Sequence, residues 1–386
     1  MNNHGNMIGH TDPQNYNLYL DEKITFVTNL LSEKSIVYPK YEIFKSPAEY
    51  YRMRCEFGIY FADDFRSFDY CMFVPHSKPK ERIIIKDFKV CSKSINQAMS
   101  ILREHLTSFH ELSYKLFEVS FLSNKARDVI INLNYHKQIK ESLFKEEAEA
   151  LKQLFAKENL HINIVGRAKK QKILANTDTI LETISTSDKD FFLYQVEGNF
   201  TQPNIYTCQH MVDFVRKNCS TLSHQEDLLE LYCGSGTFTV CLAELFRKVL
   251  ATEVSRVPTA TALLNLEKNH IRNTSIVRLS AVEVAEALTF KREFRRLKLC
   301  NIDLKSYNLT TLLIDPPRNG LEFDEARQFA QKFDRIIYVS CGPQSFATDL
   351  VQITKTHNIK KLAFFDQFPY TEHLESIAIL EKKNKA

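Results

Sequence analysis

Nowhere in this sequence of 386 residues does an apolar run approach the roughly 18 residues that a membrane span requires. The opening segment, MNNHGNMIGHTDPQNYN, lacks a basic stretch followed by an apolar one and so is not a secretory signal. Residues 1–16 are polar and are expected to be a flexible N-terminus. The nine cysteines, at 55, 71, 91, 208, 219, 233, 241, 300 and 341, are odd in number and contain no C-x-x-C. That spacing argues against a disulfide framework, a zinc site or an iron–sulfur cluster, and for a reducing cytoplasmic setting with no metal. A charge bias is missing as well. The 51 basic and 47 acidic residues leave +4, with +1 over residues 1–200 and +3 over the rest. Bulk charge therefore does not mark a nucleic-acid binder. Locally, HSKPKERIIIKDFKVCSK (76–93) and GRAKKQK (166–172) are basic runs that either bind phosphates or form solvated faces.

No internal repeat or low-complexity linker is visible, yet the texture changes near residue 200. In the first half, MRCEFGIYFAD, FDYCMFVP, ERIIIKDF, LFEVSFLSN, DVIINLNYH and HINIVGRA are short runs rich in β-branched and aromatic residues. Several alternate as half-buried antiparallel strands do. Helical patterns lie near 20–33, 95–112 and 139–157, which predicts an α+β domain over residues 17–200. From 201 to 386 strand and helix alternate regularly, the signature of a parallel sheet covered by helices. Strands are expected at 227–233, 248–254, TSIVRLSA, 310–317, RIIYVSC, 360–368 and 373–382. Only PYTE separates the last two, too short for a crossover helix, so they are expected to run antiparallel. A seven-stranded sheet with a reversed last strand resembles the Rossmann-like α/β fold of the class I S-adenosylmethionine (SAM) methyltransferases.

Chain chemistry agrees with that expectation. In ELYCGSGTF (230–238), Gly234 and Gly236 let the backbone pass close to a small ligand. Glu253 ends the next strand, where an acid can accept from both hydroxyls of a ribose. NAD is the competing ligand, but its fingerprint wants a small residue where Thr239 stands. In LLIDPPRNG (312–320), Asp315 precedes two prolines that stiffen the turn and donate no hydrogen bonds. Enzymes that methylate amines usually place an aromatic residue after such prolines. Arg318 stands there instead, which points away from an exocyclic amine.

The run RIIYVSCGPQS (335–345) delivers Cys341 to the end of a strand on the same side. A thiol there is either a small core residue or a nucleophile. Carbon 5 of uracil is a poor nucleophile until a thiolate adds to C6, and a base must later remove the C5 proton. Cys341 is the candidate nucleophile and Glu375, in HLES, the candidate base. Pro343 suggests a helix N-terminus just beyond Cys341, which would favour the thiolate.

Together, FTQPN (200–204), LLELYCGSGTF, DPPRNGL, YVSCGP and DQFPYTEHLE resemble the RNA 5-methyluridine methyltransferases. FKSPAEYYRMRCEF (44–57), LSNKARDVIINLNYHK (122–137) and GRAKKQKI are similar to the tRNA (uracil-5-)-methyltransferases among them. The resemblance implies SAM as cofactor and the T-loop uridine of tRNA as target, with tRNA-like RNAs as further partners. It implies Cys341 as nucleophile, Glu375 as base, and Gln202, Tyr232, Thr237, Glu253 and Asp315 around SAM. Arg52, Arg54 and Arg318 would face RNA, with the 17–200 domain gripping it. Two positions depart from the family pattern. Thr237 stands where Asn is frequent, and Gly342, which should loosen the turn, stands where SCNP is usual. A ribosomal-RNA substrate and an RNA-folding chaperone with secondary catalysis are the rival readings. The missing cysteine cluster and the missing N-terminal barrel favour tRNA.

Overall fold

The computed structural model describes residues 9–74, 78, 81–219, 225–290 and 292–384. The first half of the expected flexible tail, residues 1–8, and part of the basic run 76–93 lie outside them.

Runs such as DLLEL and RIIYVS are apolar on successive residues, so they are stable only where both sheet faces are covered. They form the centre of an eight-stranded sheet. Its order is Glu42–Phe44, His357–Phe365, Glu375–Lys382, Arg335–Ser340, Leu309–Ile314, Asp227–Leu231, Lys248–Thr252 and Thr274–Val277. Side chains alternate between two cores. Leu229, Leu231, Leu312, Ile314, Ile336 and Tyr338 face one, while Leu228, Leu313, Ile337 and Val339 face the other. All pairings are parallel except those of Glu375–Lys382, which runs against both neighbours as expected from the short PYTE connection. Among the described residues no helix is long and apolar enough to cross a membrane.

The sheet has one strand more than the seven expected. Glu42–Phe44 pairs in parallel with His357–Phe365, Phe44 opposite Phe365. The helix Tyr16–Glu33 likewise buries Leu20, Ile24, Val27 and Leu31 in the core of this sheet. The chain from 16 to 44 thus packs on the C-terminal sheet, although the sequence boundaries grouped it with the 17–200 domain. A three-residue strand has no readable period, and an amphipathic helix does not say which sheet it covers. The start of the chain is also tied down locally, Thr11 Oγ1 donating to Glu49 Oε1 at 2.9 Å.

A second sheet, of seven strands, has the order Arg82–Ile85, Phe68–Phe73, Arg54–Phe61, Leu116–Ser123, Val129–Tyr135, Ile162–Ala168 and Gln171–Leu174. Helices Lys93–His105 and Glu141–Lys157 cover one face through Ile95, Leu102, Phe144 and Leu151. The opposite face is mixed: Glu56, Ser120 and Asn132 stand in adjacent strands along one row, while Leu122, Ile130 and Val165 form a small apolar cluster with Ile180. A hairpin, Thr179–Ser185 with Asp190–Val196, spans the two sheets. Its Tyr194 and Phe192 amides donate to Asn265 and Asn269 of the helix Arg256–Lys268, at 2.7 and 2.9 Å.

Candidate active site

The carboxyl edge of the larger sheet is where the candidate residues gather. Asp315 follows Leu309–Ile314, Cys341 follows Arg335–Ser340, and Glu375 opens the reversed strand, so all three stand at one edge. The ladder pairs Ser340 with Ser376. Cys341 and Glu375 are the residues immediately beyond that last pair, near enough for the charge of Glu375 to act on the thiol. That juxtaposition depends on register between strands more than thirty residues apart, which the sequence alone did not provide.

Cys341 is half-buried and Glu375 is buried, at 6 % exposed, so neither is plain surface. Burial, Glu375 and Asp315 push the Cys341 thiol up to about 11, against the opposing pull of Arg318. The helix Pro343–Ile353 does begin just beyond it. Its N-terminus does not prevail in the free protein, because low dielectric and two neighbouring acids disfavour the thiolate more strongly. Burial first, then Asp315, raise Glu375 to about 8, and burial alone raises Asp315 to about 7. Glu230, in the strand behind the glycine turn, is raised to about 8 by burial with a contribution from Asp315, and its Oε2 has no partner. Of the three arginines expected to face RNA, Arg318 acts on the charge of Cys341 and Glu375.

The turn that carries Arg318 is held from below. The Leu321 amide donates to Asp349 Oδ2 at 2.8 Å, and the Tyr338 hydroxyl donates to the same buried carboxylate. Gly320 adopts φ +69, and a Cβ there would run into Asp349 Oδ2. Ser345 Oγ donates to the Arg318 carbonyl at 2.8 Å. Gly342 does not loosen the turn next to Cys341. Its φ of −111 suits any residue, but the Arg318 carbonyl lies 2.5 Å from where its Cβ would be. Close approach, rather than backbone freedom, calls for glycine here.

At the glycine turn, Gly234 and Gly236 take φ +55 and +82, and Tyr232 joins them in the left-handed region at φ +60. A non-glycine residue there is strained, a feature common at ligand-binding turns. Open space surrounds the missing Cβ of Gly234. Glu253 reaches across, one oxygen accepting from Gly234 N at 3.1 Å and the other from Val254 N and Ser255 N at 2.8 Å each. Gln202 and Thr237 line a small open cleft, together with Phe200, Ser235 and Asn265. Ser235 Oγ is buried without a partner. An open glycine turn, an oriented carboxylate and an unpaired hydroxyl suit a ribose-bearing, polar cofactor.

Arg52 and Arg54 sit where the two sheets meet. Arg52 Nε donates to the Arg54 carbonyl at 2.8 Å, and Arg54 Nη1 to the Asn199 carbonyl at 3.1 Å. The residues missed from sequence are Glu230 and Gln367. Gln367 is fully buried, donates through Nε2 to Gln202 Oε1 at 2.8 Å and leaves its own Oε1 unpartnered. DQFPYTEHLE had flagged its segment but offered no reason to choose it over its neighbours.

Known proteins resemble this chain along nearly its whole length. The model of the family described as tRNA (Uracil-5-)-methyltransferase matches residues 15–383. A tRNA/tmRNA (uracil-C(5))-methyltransferase of Aliivibrio fischeri is 41% identical over 372 residues, covering 96% of this chain and 98% of that protein. Its namesake from Photobacterium profundum is 40% identical over 368 residues, covering 95% and 97%. Among solved structures, the tRNA (uracil-54, C5)-methyltransferase of Pyrococcus abyssi in complex with S-adenosyl-L-homocysteine superposes with a TM-score of 0.65. At 20% identity, over 95% of this chain and 83% of that one, it shares the fold. With matches along nearly its whole length, and with both the glycine turn and the cysteine edge in place, this chain belongs to the tRNA (uracil-5-)-methyltransferase family.

Proposed function

We propose that this protein methylates carbon 5 of a uridine in tRNA, the T-loop uridine, and the corresponding site in tRNA-like RNA. The observation that carries the reading is that Cys341 and Glu375 stand together just past the Ser340–Ser376 pair, within electrostatic reach of Asp315 and Arg318. The names of the relatives, which specify tRNA and tmRNA, support the substrate class over ribosomal RNA. Nine free thiols and a tRNA substrate fit a cytoplasmic enzyme.

SAM, when bound, supplies an electrophilic methyl group to C5. Gln202, Thr237 and the glycine turn would line its site, with Tyr232 and Asp315 flanking it and Glu253 accepting from its ribose. The polypeptide does the rest. The target base must leave its stack to reach the sheet edge, at a cost of a few kcal/mol. Cys341 releases its proton to solvent, which its half-exposed position allows, and its sulfur bonds to C6, which moves the C5–C6 π electrons toward C5 and O4. Once C5 carries its new substituent, the Glu375 carboxylate takes the C5 proton. Those electrons restore the C5–C6 double bond and expel the Cys341 thiolate. Arg318 favours the thiolate, its positive charge working against the two neighbouring acids. Arg52 and Arg54, at the junction of the sheets, would hold RNA by phosphate and shape.

The test is to incubate the protein with labelled SAM and separate tRNA and rRNA transcripts, then locate the modified nucleoside by mass. Label in 5-methyluridine of the T-loop is expected, and label in rRNA alone overturns the choice. Cys341→Ala should abolish transfer while tRNA binding persists. Retained methylation would remove the covalent route.

A further inference from the structure

The helix Tyr16–Glu33 buries an apolar stripe against the larger sheet, but one of its buried residues is a lysine. Lys23 is 7 % exposed. An ammonium has three donors, and here all three are used. They reach Asp366 Oδ1 at 2.5 Å, the Phe368 carbonyl at 3.0 Å and the His373 carbonyl at 3.1 Å. Those acceptors belong to the single turn joining His357–Phe365 to Glu375–Lys382. Asp366 leaves the first strand, and His373 stands two residues before Glu375. One buried cation therefore gathers both ends of the segment that delivers the candidate base.

Other groups fasten the same turn. The Tyr51 hydroxyl donates to the Pro369 carbonyl at 3.2 Å, and the Tyr370 hydroxyl to the Ala48 carbonyl at 2.8 Å. Asn204 Nδ2 donates to Ser46 Oγ at 2.7 Å and to the Gln367 carbonyl at 3.4 Å. A hydrophobic residue at position 23 would bury the helix at least as well, since ion pairs in the interior seldom out-stabilise apolar packing. What an apolar side chain could not do is fix three separate acceptors relative to one another. Cys341 is placed differently, by the strand before it and the helix after it.

We propose that Lys23 is a positioning residue for Glu375. The N-terminal helix acts as a clamp on the turn 366–373 and so fixes the carboxyl that takes the C5 proton. The inference rests on the reading of Glu375 as that base. Loss of the clamp displaces Glu375 and leaves nucleophilic attack by Cys341 in place, so elimination becomes the slow step.

The test uses the full chain carrying Lys23→Met together with Asp366→Asn, which removes both charges and leaves no buried ion unpaired. Melting temperature should fall modestly, because the Phe368 and His373 carbonyls lose their donor, while affinities for SAM and tRNA should match wild type. Turnover should fall on the order of 100-fold, the scale of a misplacement of about 1 Å. A covalent protein–RNA species should accumulate on denaturing gels. Lys23→Arg provides a second variant should the first misfold. It keeps the charge, but its planar fork cannot put three donors at one point, and the same accumulation is expected. Adding Glu375→Gln to either variant should slow elimination no further than Glu375→Gln does alone. Wild-type turnover in a folded Lys23 variant overturns the clamp, as does a rate loss without accumulated adduct. If Glu375→Gln alone turns over normally, the base assignment falls and the clamp falls with it. If adduct accumulates in Glu375→Gln but in neither Lys23 variant, the clamp alone is wrong.

Discussion

Replacing Glu375 with glutamine keeps the shape of the side chain and removes only its ability to accept a proton. Burial and Asp315 raise this carboxyl to about 8, so in the free protein it is mostly protonated at neutral pH. Exchanging a neutral acid for a neutral amide should leave the melting temperature at pH 7 unchanged. The catalytic cost is different. A positioned general base contributes about 10²- to 10⁴-fold, or roughly 3 to 5 kcal/mol of barrier. Only the ionised form is a base. At pH 7, one unit below its half-point, about a tenth of the population is ready. Elimination in wild type should therefore rise about tenfold per pH unit up to about 8 and then level. Measured at pH 7, the loss in Glu375→Gln is correspondingly about tenfold smaller than at pH 9. The assay is a single turnover with labelled SAM, followed on denaturing gels so that adduct and released methylated RNA are counted separately. Adduct should form and persist, and the pH slope should vanish. Full release by the variant, or an undiminished pH slope, would falsify the assignment.

Two other perturbations read the same site from its supports. Gly342→Asn places a Cβ against the Arg318 carbonyl, at 2.5 Å in the unrelaxed backbone. It should displace that turn, lower turnover and cost about 1–3 kcal/mol in thermal unfolding, as overpacking does; unchanged stability would show that the contact relaxes freely. Glu230 has its carboxyl raised to about 8, so its folded form holds a proton that the unfolded chain releases near 4.5, and stability falls as pH rises between those values. Glu230→Gln should remove a destabilisation that reaches about 5 kcal/mol above pH 8 as an upper figure, and equal pH dependence of melting in variant and wild type would refute it.

What was legible in the sequence followed from local chemistry. Gly234 and Gly236 marked a backbone turn because so few other glycines compete, and Asp315 was visible through its prolines. Cys341 stood at the end of an apolar run whose period and length identify a buried strand. The reversed last strand followed from a connection too short to cross over. Non-local geometry was not legible. That Glu375 comes beside Cys341 depends on strand register, and that Glu42–Phe44 joins the larger sheet depends on which edge is free. Lys23 reads as one more polar position in an amphipathic helix until its three acceptors are located. The thiol was misjudged for a related reason. Pro343 announced a helix N-terminus, but nothing nearby in sequence announced the two acids that outweigh it.

Those acids also explain how a reactive sulfur remains inert in the free protein. Cys341, Asp315, Glu375 and Glu230 are each shifted toward the neutral form, and apart from burial each shift traces to another acid in the group or to no other charge. Such a cluster holds its protons while the charge of Arg318 alone opposes it. A cation placed among the acids reverses the balance, because a positive charge within about 4–6 Å favours every anion it faces. The site is thus complementary to a cationic methyl donor in a way that a neutral pocket would not be. Binding and ionisation become one event: the ligand that makes methylation possible also draws the thiol and the base toward their active forms. Elimination comes after the methyl has left, when the donor is no longer cationic, so the knee in its pH profile stays near the free-protein value of about 8.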